Sequence, residues 1–142
     1  MLNTVFFAIL CLIPAITFAG NLKQEADAQA LADRVMTDVA AGEIIKGIEH
    51  LRAFNVYSKD EFEASLTRIK AQLPDIDKRF GPTVGYDFVT VEKVADTLRQ
   101  YVYLQKFEKH VLVWRFIFYK PRDHWLLNTF YFDDKVQMLF VY

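Results

Sequence analysis

The stretch that decides the fold of this chain runs from Thr97 to Phe132 and reads TLRQYVYLQKF EKH VLVWRFIFYK PRDH WLLNTFYF. It holds 11 of the chain's 22 aromatic residues, interleaved with Val, Ile and Leu. Such side chains suit a pleated, half-buried surface, and the short polar breaks between them are typical of turns. The pattern predicts three consecutive antiparallel strands. A further strand is expected before them, from Val84 to Val94 (VGYDFVTVEKV).

Two segments near the start of the chain have the apolar spacing of helices. Leu22 to Ala41 places Leu31, Val35 and Val39 four residues apart, and Glu43 to Phe54 continues the helical pattern. Gly42 lies between the two segments. We therefore expect two helices that meet at an angle there.

A third helix is predicted from Lys59. Ser58 and Glu61 form a capping box, in which each side chain bonds the backbone amide of the other residue. Pro74 should end or kink this helix, because proline lacks the amide hydrogen that an interior turn needs. After Phe132, Asp133 to Lys135 is expected to turn, and Val136 to Tyr142 forms a last short element of either type.

Helices followed by strands predict an α+β domain. Three N-terminal helices would pack on a curved antiparallel meander of four to five strands. The curvature is expected from a β-bulge near Asn128 and Thr129, because only an extra residue there puts Trp125 and Leu127 on the same face as Phe130 and Phe132.

The register of the two central strands decides which side chains share a face, since a slip of one residue exchanges the faces. A turn of Lys109 and His110 alone would place Tyr103 opposite Phe116, whereas a loop of Glu108 to His110 places it opposite Arg115. We favour the loop, because it gathers the aliphatic residues of the first strand with Trp114. The opposite face would then carry Arg99, Tyr101, Tyr103, Arg115, Ile117 and Tyr119.

Tyrosine and arginine are enriched at protein interfaces, so this second face is a candidate homodimer surface. The two arginines, Arg99 and Arg115, either pair with a carboxylate such as Glu92 or lie exposed over tyrosine rings. The alternative is that they anchor an anion or carboxylate in a pocket or interface.

The first 20 residues carry no charged side chain. Val5 to Ala19 is an apolar run that is shorter than a typical membrane-spanning helix. The run is typical of a secretory signal with cleavage after Ala19, although no Lys or Arg precedes it. An uncleaved anchor or a buried helix is the alternative. We therefore expect a signal peptide over residues 1–19 and one domain over 20–142, periplasmic or secreted, with no membrane span after cleavage. Cleavage would remove Cys11, the only cysteine, and with it any thiol chemistry.

The net charge and the spacing of the histidines argue against two classes of function, nucleic-acid binding and metal or cofactor chemistry. A net charge of −1 lacks the basic excess that nucleic acid requires. The three histidines, His50, His110 and His124, show no ligand spacing, so neither a metal nor a cofactor is expected.

The element order and the ending Trp-x-Leu-x-x-Phe-x-Phe-Asp-Asp from Trp125 to Asp134 resemble the nuclear-transport-factor-like superfamily. This is the cystatin-like, cone-shaped α+β fold shared with ketosteroid isomerase and many small bacterial secreted proteins. The resemblance implies a pocket between sheet and helices and frequent dimers through the sheet, but no single activity. The chain departs from many members in showing no strand between its second and third helices.

We expect a non-enzymatic domain that binds a small apolar ligand or a protein partner. A first alternative is a small isomerase or dehydratase. Ketosteroid isomerase uses an Asp base and a Tyr oxyanion donor, and here Asp87, flanked by Tyr86 and Phe88, would be the base, with Tyr103 as donor. Tyr86 is also a candidate binding residue. A second alternative is a structural subunit of an envelope complex.

Overall fold

The computed structural model describes residues 21–141 of the 142. The predicted signal peptide lies outside the described residues. In element order, the chain forms helices α1 (Glu25–Ala40), α2 (Ile44–Glu49) and α3 (Lys59–Phe80), then strands β1 (Thr83–Val94), β2 (Leu98–Phe107), β3 (Val111–Tyr119) and β4 (Leu126–Asp133), and ends in a 3-10 helix (Val136–Phe140). The α+β class with three helices is confirmed, and the strand count is four.

The helices follow the predicted signals with two differences. α1 ends at Ala40 before Gly42, whose φ of +83° is a conformation that favours glycine. α2 is shorter than expected, because the chain turns after Glu49. The capping box at Ser58 opens α3, with the Glu61 amide 3.2 Å from the Ser58 hydroxyl. α3 continues through Pro74 to Phe80, so the expected end at this proline is wrong.

The strands form one antiparallel sheet in the order β1-β2-β3-β4. Its pairing is interrupted by irregularities in β1 and by an extra residue, Asn128, in β4. Ile117 pairs with Thr129 and Phe118 with Leu127, so Asn128 has no partner. The predicted bulge is thus confirmed.

The register between β2 and β3 differs from both predicted alternatives. Tyr103 lies opposite Trp114, because the turn consists of Glu108 and Lys109 alone. The Phe107 amide donates to the His110 carbonyl at 2.9 Å and closes this turn. The turn amides then donate to the carbonyls of Pro82 and Phe80, so the end of α3 holds the turn in place. A tertiary contact therefore selects the register that local sequence left open.

The two faces of the sheet now have defined members, since directly opposed residues share a face. We call the face that packs on the helices the inner face; its buried members on β2 and β3 are Arg99, Tyr101, Tyr103, Gln105, Phe107, Leu112, Trp114, Phe116 and Phe118. Its hydrophobic members form one core cluster with the apolar sides of all three helices. Six large side chains of the cluster, Tyr101, Tyr103, Trp114, Phe62, Phe116 and Phe118, are almost fully buried, so aromatic rings fill this space.

The segment between α2 and α3 makes a short contact with the sheet. Asn55 forms an isolated parallel bridge with Leu127, whose amide donates to the Phe54 carbonyl at 2.8 Å. The Val56 amide donates to the Leu127 carbonyl at 3.1 Å. One residue of strand pairing thus exists where the sequence predicted none. Within residues 21–141, no helix combines the length and the hydropathy needed to cross a bilayer.

Candidate functional site

The predicted binding residues divide between the two faces of the sheet. Arg99, Tyr101 and Tyr103 lie buried on the inner face, whereas Arg115 and Tyr119 lie on the opposite, outer face. The prediction that all five share one face is therefore wrong. The cause is the register, which is shifted by one residue and so turns every β2 side chain over.

Arg99, itself buried, forms an ion pair with the half-buried Glu25 of α1. Its Nε lies 3.0 Å from a Glu25 carboxylate oxygen, and Lys93 approaches the other oxygen at 2.9 Å. The Arg99 Nε hydrogen is not aligned for a hydrogen bond, so this contact is charge attraction; Nη1 donates to the carbonyls of Ala95 and Leu98. Lys93 first, and Arg99 after it, lower the pKa of Glu25. Since Trp125 covers the guanidinium at 5.1 Å, Arg99 is a structural anchor with little access for an external anion.

The two inner tyrosines also bond α1. The Tyr103 hydroxyl donates to the Asp33 carboxylate at 2.6 Å, and the Tyr101 hydroxyl donates to the Glu25 carbonyl at 3.1 Å. Burial raises the pKa of both hydroxyls, that of Tyr101 to about 12, and the bond to Asp33 raises that of Tyr103 further. Sequence reasoning missed Asp33. The available signal was its place beside the buried helix position Ala32.

Asp87 and Tyr103 are not brought together. Asp87 lies opposite Leu104 on the outer face, is more than half exposed, and pairs with Lys106 at 3.0 Å. Tyr103 lies on the inner face with the half-buried Tyr86, and their ring centroids are 6.1 Å apart. The base and oxyanion donor proposed from sequence therefore share no site.

Two hydrogen bonds through a buried glutamine link β3, β2 and α1. The Trp114 indole donates to the amide oxygen of buried Gln105 at 3.0 Å, and the Gln105 amide nitrogen lies 3.4 Å from the Val39 carbonyl. Gln105 also lines a cavity of about 470 Å³, together with Ile44 and Phe107. The cavity is lined by the apolar Ile44 and Phe107 and by the polar Thr83 and Asp77, and no sequence motif indicated it.

A second polar cluster joins α1 to α2. His50 Nε2 lies 2.7 Å from Asp38, and Lys46 lies 3.3 Å from the same carboxylate. Burial alone would raise the pKa of Asp38, but the bonds from His50 and Lys46 outweigh it and lower that pKa. Among residues 21–141, no three His, Cys, Asp or Glu side chains converge as a metal ion would require. The cluster therefore serves to fasten the two helices.

The outer face mixes aliphatic, aromatic and charged side chains. Val102 and Val113 are already buried within the chain, although they lie outside the helix–sheet core cluster, and Arg115 lies directly opposite Val102. Toward the β4 edge, Arg115 lies 3.5 Å from Asp133 and 5.7 Å from the ring centroid of Tyr131. The other outer-face members include Leu104, Ile117, Tyr119 and the Asp87–Lys106 pair. Of the large side chains on this face, Leu104 and Ile117 are half-buried, whereas Tyr119 and Tyr131 are exposed.

A groove follows α3 along the β4 edge of the sheet. It consists of three adjoining depressions of about 250, 200 and 440 Å³. The first two share Tyr57, Ser65 and Arg68, and the last two share Gln72 and Phe132. We call this surface the α3–β4 groove.

Comparison with protein-family models, with curated proteins and with solved structures finds no match for this chain.

Proposed function

We propose that this chain is an exported, non-enzymatic interaction domain that pairs with a second copy of itself through the outer face. Export to the periplasm or beyond is inferred from the apolar run Val5 to Ala19. The observation that supports pairing is the outer face, where Tyr119 and Tyr131 are exposed beside the half-buried Ile117 and Arg115.

The size and chemistry of this face suit a self-complementary interface. Four strands about 4.8 Å apart, each about nine residues long at about 3.3 Å per residue, present roughly 19 by 30 Å. That is of the same order as the ~800 Å² per partner of a standard interface. Two ion pairs of this face, Arg115–Asp133 and Lys106–Asp87, are already formed within the chain, so their burial would leave no charge in them without a partner. Glu92 accepts a hydrogen bond from the Gln100 amide and would need to stay at the solvent-exposed margin.

Native mass spectrometry of the protein recovered from an exporting host tests both parts. We expect a dimer of chains that begin at Gly20. Ile117→Lys, which places a charge at the centre of the outer face, should convert the dimer to a monomer. Ala26→Lys, on the exposed side of α1, is the matched control and should leave the mass unchanged. A wild-type monomer at tens of micromolar, or equal behaviour of the two variants, would refute pairing through this face.

A small apolar ligand is a second candidate, favoured by the cavity beside Gln105. Ile44 and Phe107 supply apolar contacts, and Thr83 and Asp77 are the polar groups of the lining. A co-purified molecule of a few hundred daltons in the same spectra would support it. Ile44→Trp, which fills the cavity, should remove that molecule without changing the oligomeric state. Retention of the molecule in this variant would exclude the cavity as its site.

We further propose membership of the nuclear-transport-factor-like superfamily. The order of helices and strands supports this, as does the pairing of Asn55 with Leu127 between α2 and α3. The isomerase alternative gains no support from the geometry, because Asp87 and Tyr103 lie on opposite faces.

A further inference from the structure

We infer that the α3–β4 groove is a docking site for an extended peptide that carries a carboxylate side chain and adds to the free edge of β4. This site lies at the sheet edge and on the helix side, so it is independent of pairing through the outer face. Three features of the described residues support the inference: an unpaired strand edge, a groove of suitable length, and one cation without a counter-ion.

The edge of β4 is available for strand addition over most of its length. β4 is the last strand of the sheet, and the pairing with Phe54 to Val56 ends at Leu127. Among residues 21–141, no other segment bonds the outer edge of β4 from Asn128 to Asp133. Unpaired strand edges accept peptides in extended conformation, through main-chain hydrogen bonds. The short bridge at Leu127 shows that this edge already takes a second chain segment in the native fold.

The groove beside this edge offers contacts for alternate side chains of such a peptide. The half-buried rings of Tyr57, Phe130 and Phe132 form its apolar wall, and Ile69 lies beneath them. In an extended peptide, alternate side chains point the same way, so two apolar residues separated by one would reach this wall. We therefore expect apolar residues at alternate peptide positions.

The remaining requirement on the peptide is a charge that matches Arg68. Arg68 lines the middle of the groove and donates to the Ser65 hydroxyl at 2.9 Å, but among the described residues no carboxylate lies within ion-pair distance of it. No other charged residue of the described part of the chain lines the central depression. At its two ends, Arg79 pairs with Asp75 and Asp134, Asp133 pairs with Arg115, and Glu61 accepts from the Ser58 amide. A guanidinium fork matches a carboxylate well. The peptide should therefore carry Asp or Glu beside its apolar residues.

Selection from a phage-displayed library of random nine-residue peptides against the full-chain protein tests the inference. Enriched peptides should combine alternating apolar residues with at least one Asp or Glu. The enriched peptides, once synthesised, should bind the Arg68→Gln variant roughly tenfold more weakly than the wild type, as expected for the loss of one charge-assisted pair. Lys59→Gln makes the same charge change on α3 outside the groove, and should leave affinity unchanged. N-methylation at alternate peptide amides should abolish binding, because it removes donors to the strand edge.

Several results would overturn the inference. They are the absence of any enriched peptide, equal affinity for the Arg68 and Lys59 variants, and amide chemical-shift changes that map to Ile117 and Lys106 instead of α3 and β4. Arg68 is exposed, so its replacement leaves the fold intact, and thermal unfolding of both variants verifies this. The Ile117→Lys variant should bind the enriched peptides normally, which separates this site from the proposed dimer surface.

Discussion

Replacement of Tyr103 by Phe tests how the sheet is attached to α1. The change keeps the ring in its buried position and removes only the hydroxyl, which donates to Asp33 at 2.6 Å. A hydrogen bond to a charged group contributes about 1.5–3 kcal/mol, and one between neutral groups about 0.5–1.5 kcal/mol. Because Asp33 is half-buried, water can partly replace the lost donor. We therefore expect Tyr103→Phe to lower the free energy of unfolding by about 2 kcal/mol.

Tyr101→Phe is the matched control. Its hydroxyl donates to a neutral acceptor, the Glu25 carbonyl, at 3.1 Å from an equally buried ring. The expected loss is about 1 kcal/mol. With a urea m-value of about 2 kcal/mol/M for a domain of this size, the midpoints should fall by about 1 M for Tyr103→Phe and about 0.5 M for Tyr101→Phe.

Urea unfolding followed by circular dichroism and by tryptophan fluorescence provides the assay, with coincident curves as evidence of two-state behaviour. If Tyr103 faced outward, as the sequence-based register has it, its replacement would change stability by no more than about 0.5 kcal/mol. A loss for Tyr103→Phe that is no larger than for Tyr101→Phe would therefore refute the attachment described here.

Three further predictions concern the buried tyrosines, Gly47 and Ser58. The raised pKa values of Tyr101 and Tyr103 stabilise the folded state below about pH 10, and this stability is lost as the pH rises through about 12 for Tyr101 and higher for Tyr103. In urea unfolding, the free energy of unfolding of the double Phe variant should therefore fall less steeply above pH 10 than that of the wild type. An unchanged slope would contradict this expectation. Gly47→Ala gains about 1 kcal/mol of helix propensity, but the new Cβ would lie 2.7 Å from the Val35 carbonyl oxygen. Calorimetry should therefore show a net loss of about 2 kcal/mol in the free energy of unfolding, and not a gain. Ser58→Ala removes the α3 cap and should cost about 1 kcal/mol by the same measurement, whereas an unchanged melting temperature would show that the cap contributes nothing.

Features set by local sequence were predictable. The capping box at Ser58, the break at Gly42 and the bulge at Asn128 were each deduced from a few adjacent residues and are confirmed. The bulge is the most informative case, because the parity of Trp125 against Phe130 required an extra residue between them.

The register of β2 could not be predicted locally. No Asn-Gly pair fixes the turn, and the contacts that do so come from the end of α3 and the residues after it, where the carbonyls of Phe80 and Pro82 accept the turn amides. In the same way, the ion partner of Arg99 proved to be Glu25 on α1, not the nearby Glu92. Long-range polar contacts decided which residues were buried, and the interpretation of Arg99, Tyr101 and Tyr103 as surface residues failed for that reason.

The two tyrosine hydroxyl bonds also constrain the order in which the chain can fold. They join residues 70 and 76 positions apart, so α1 cannot settle in its final orientation until β2 exists. Contacts of such wide separation slow folding, because the intervening loop must close first. During synthesis α1 is made before β2, so its apolar side stays uncovered until β2 follows. A chaperone that holds this helix, or a pause before β2, would then govern the yield of native protein.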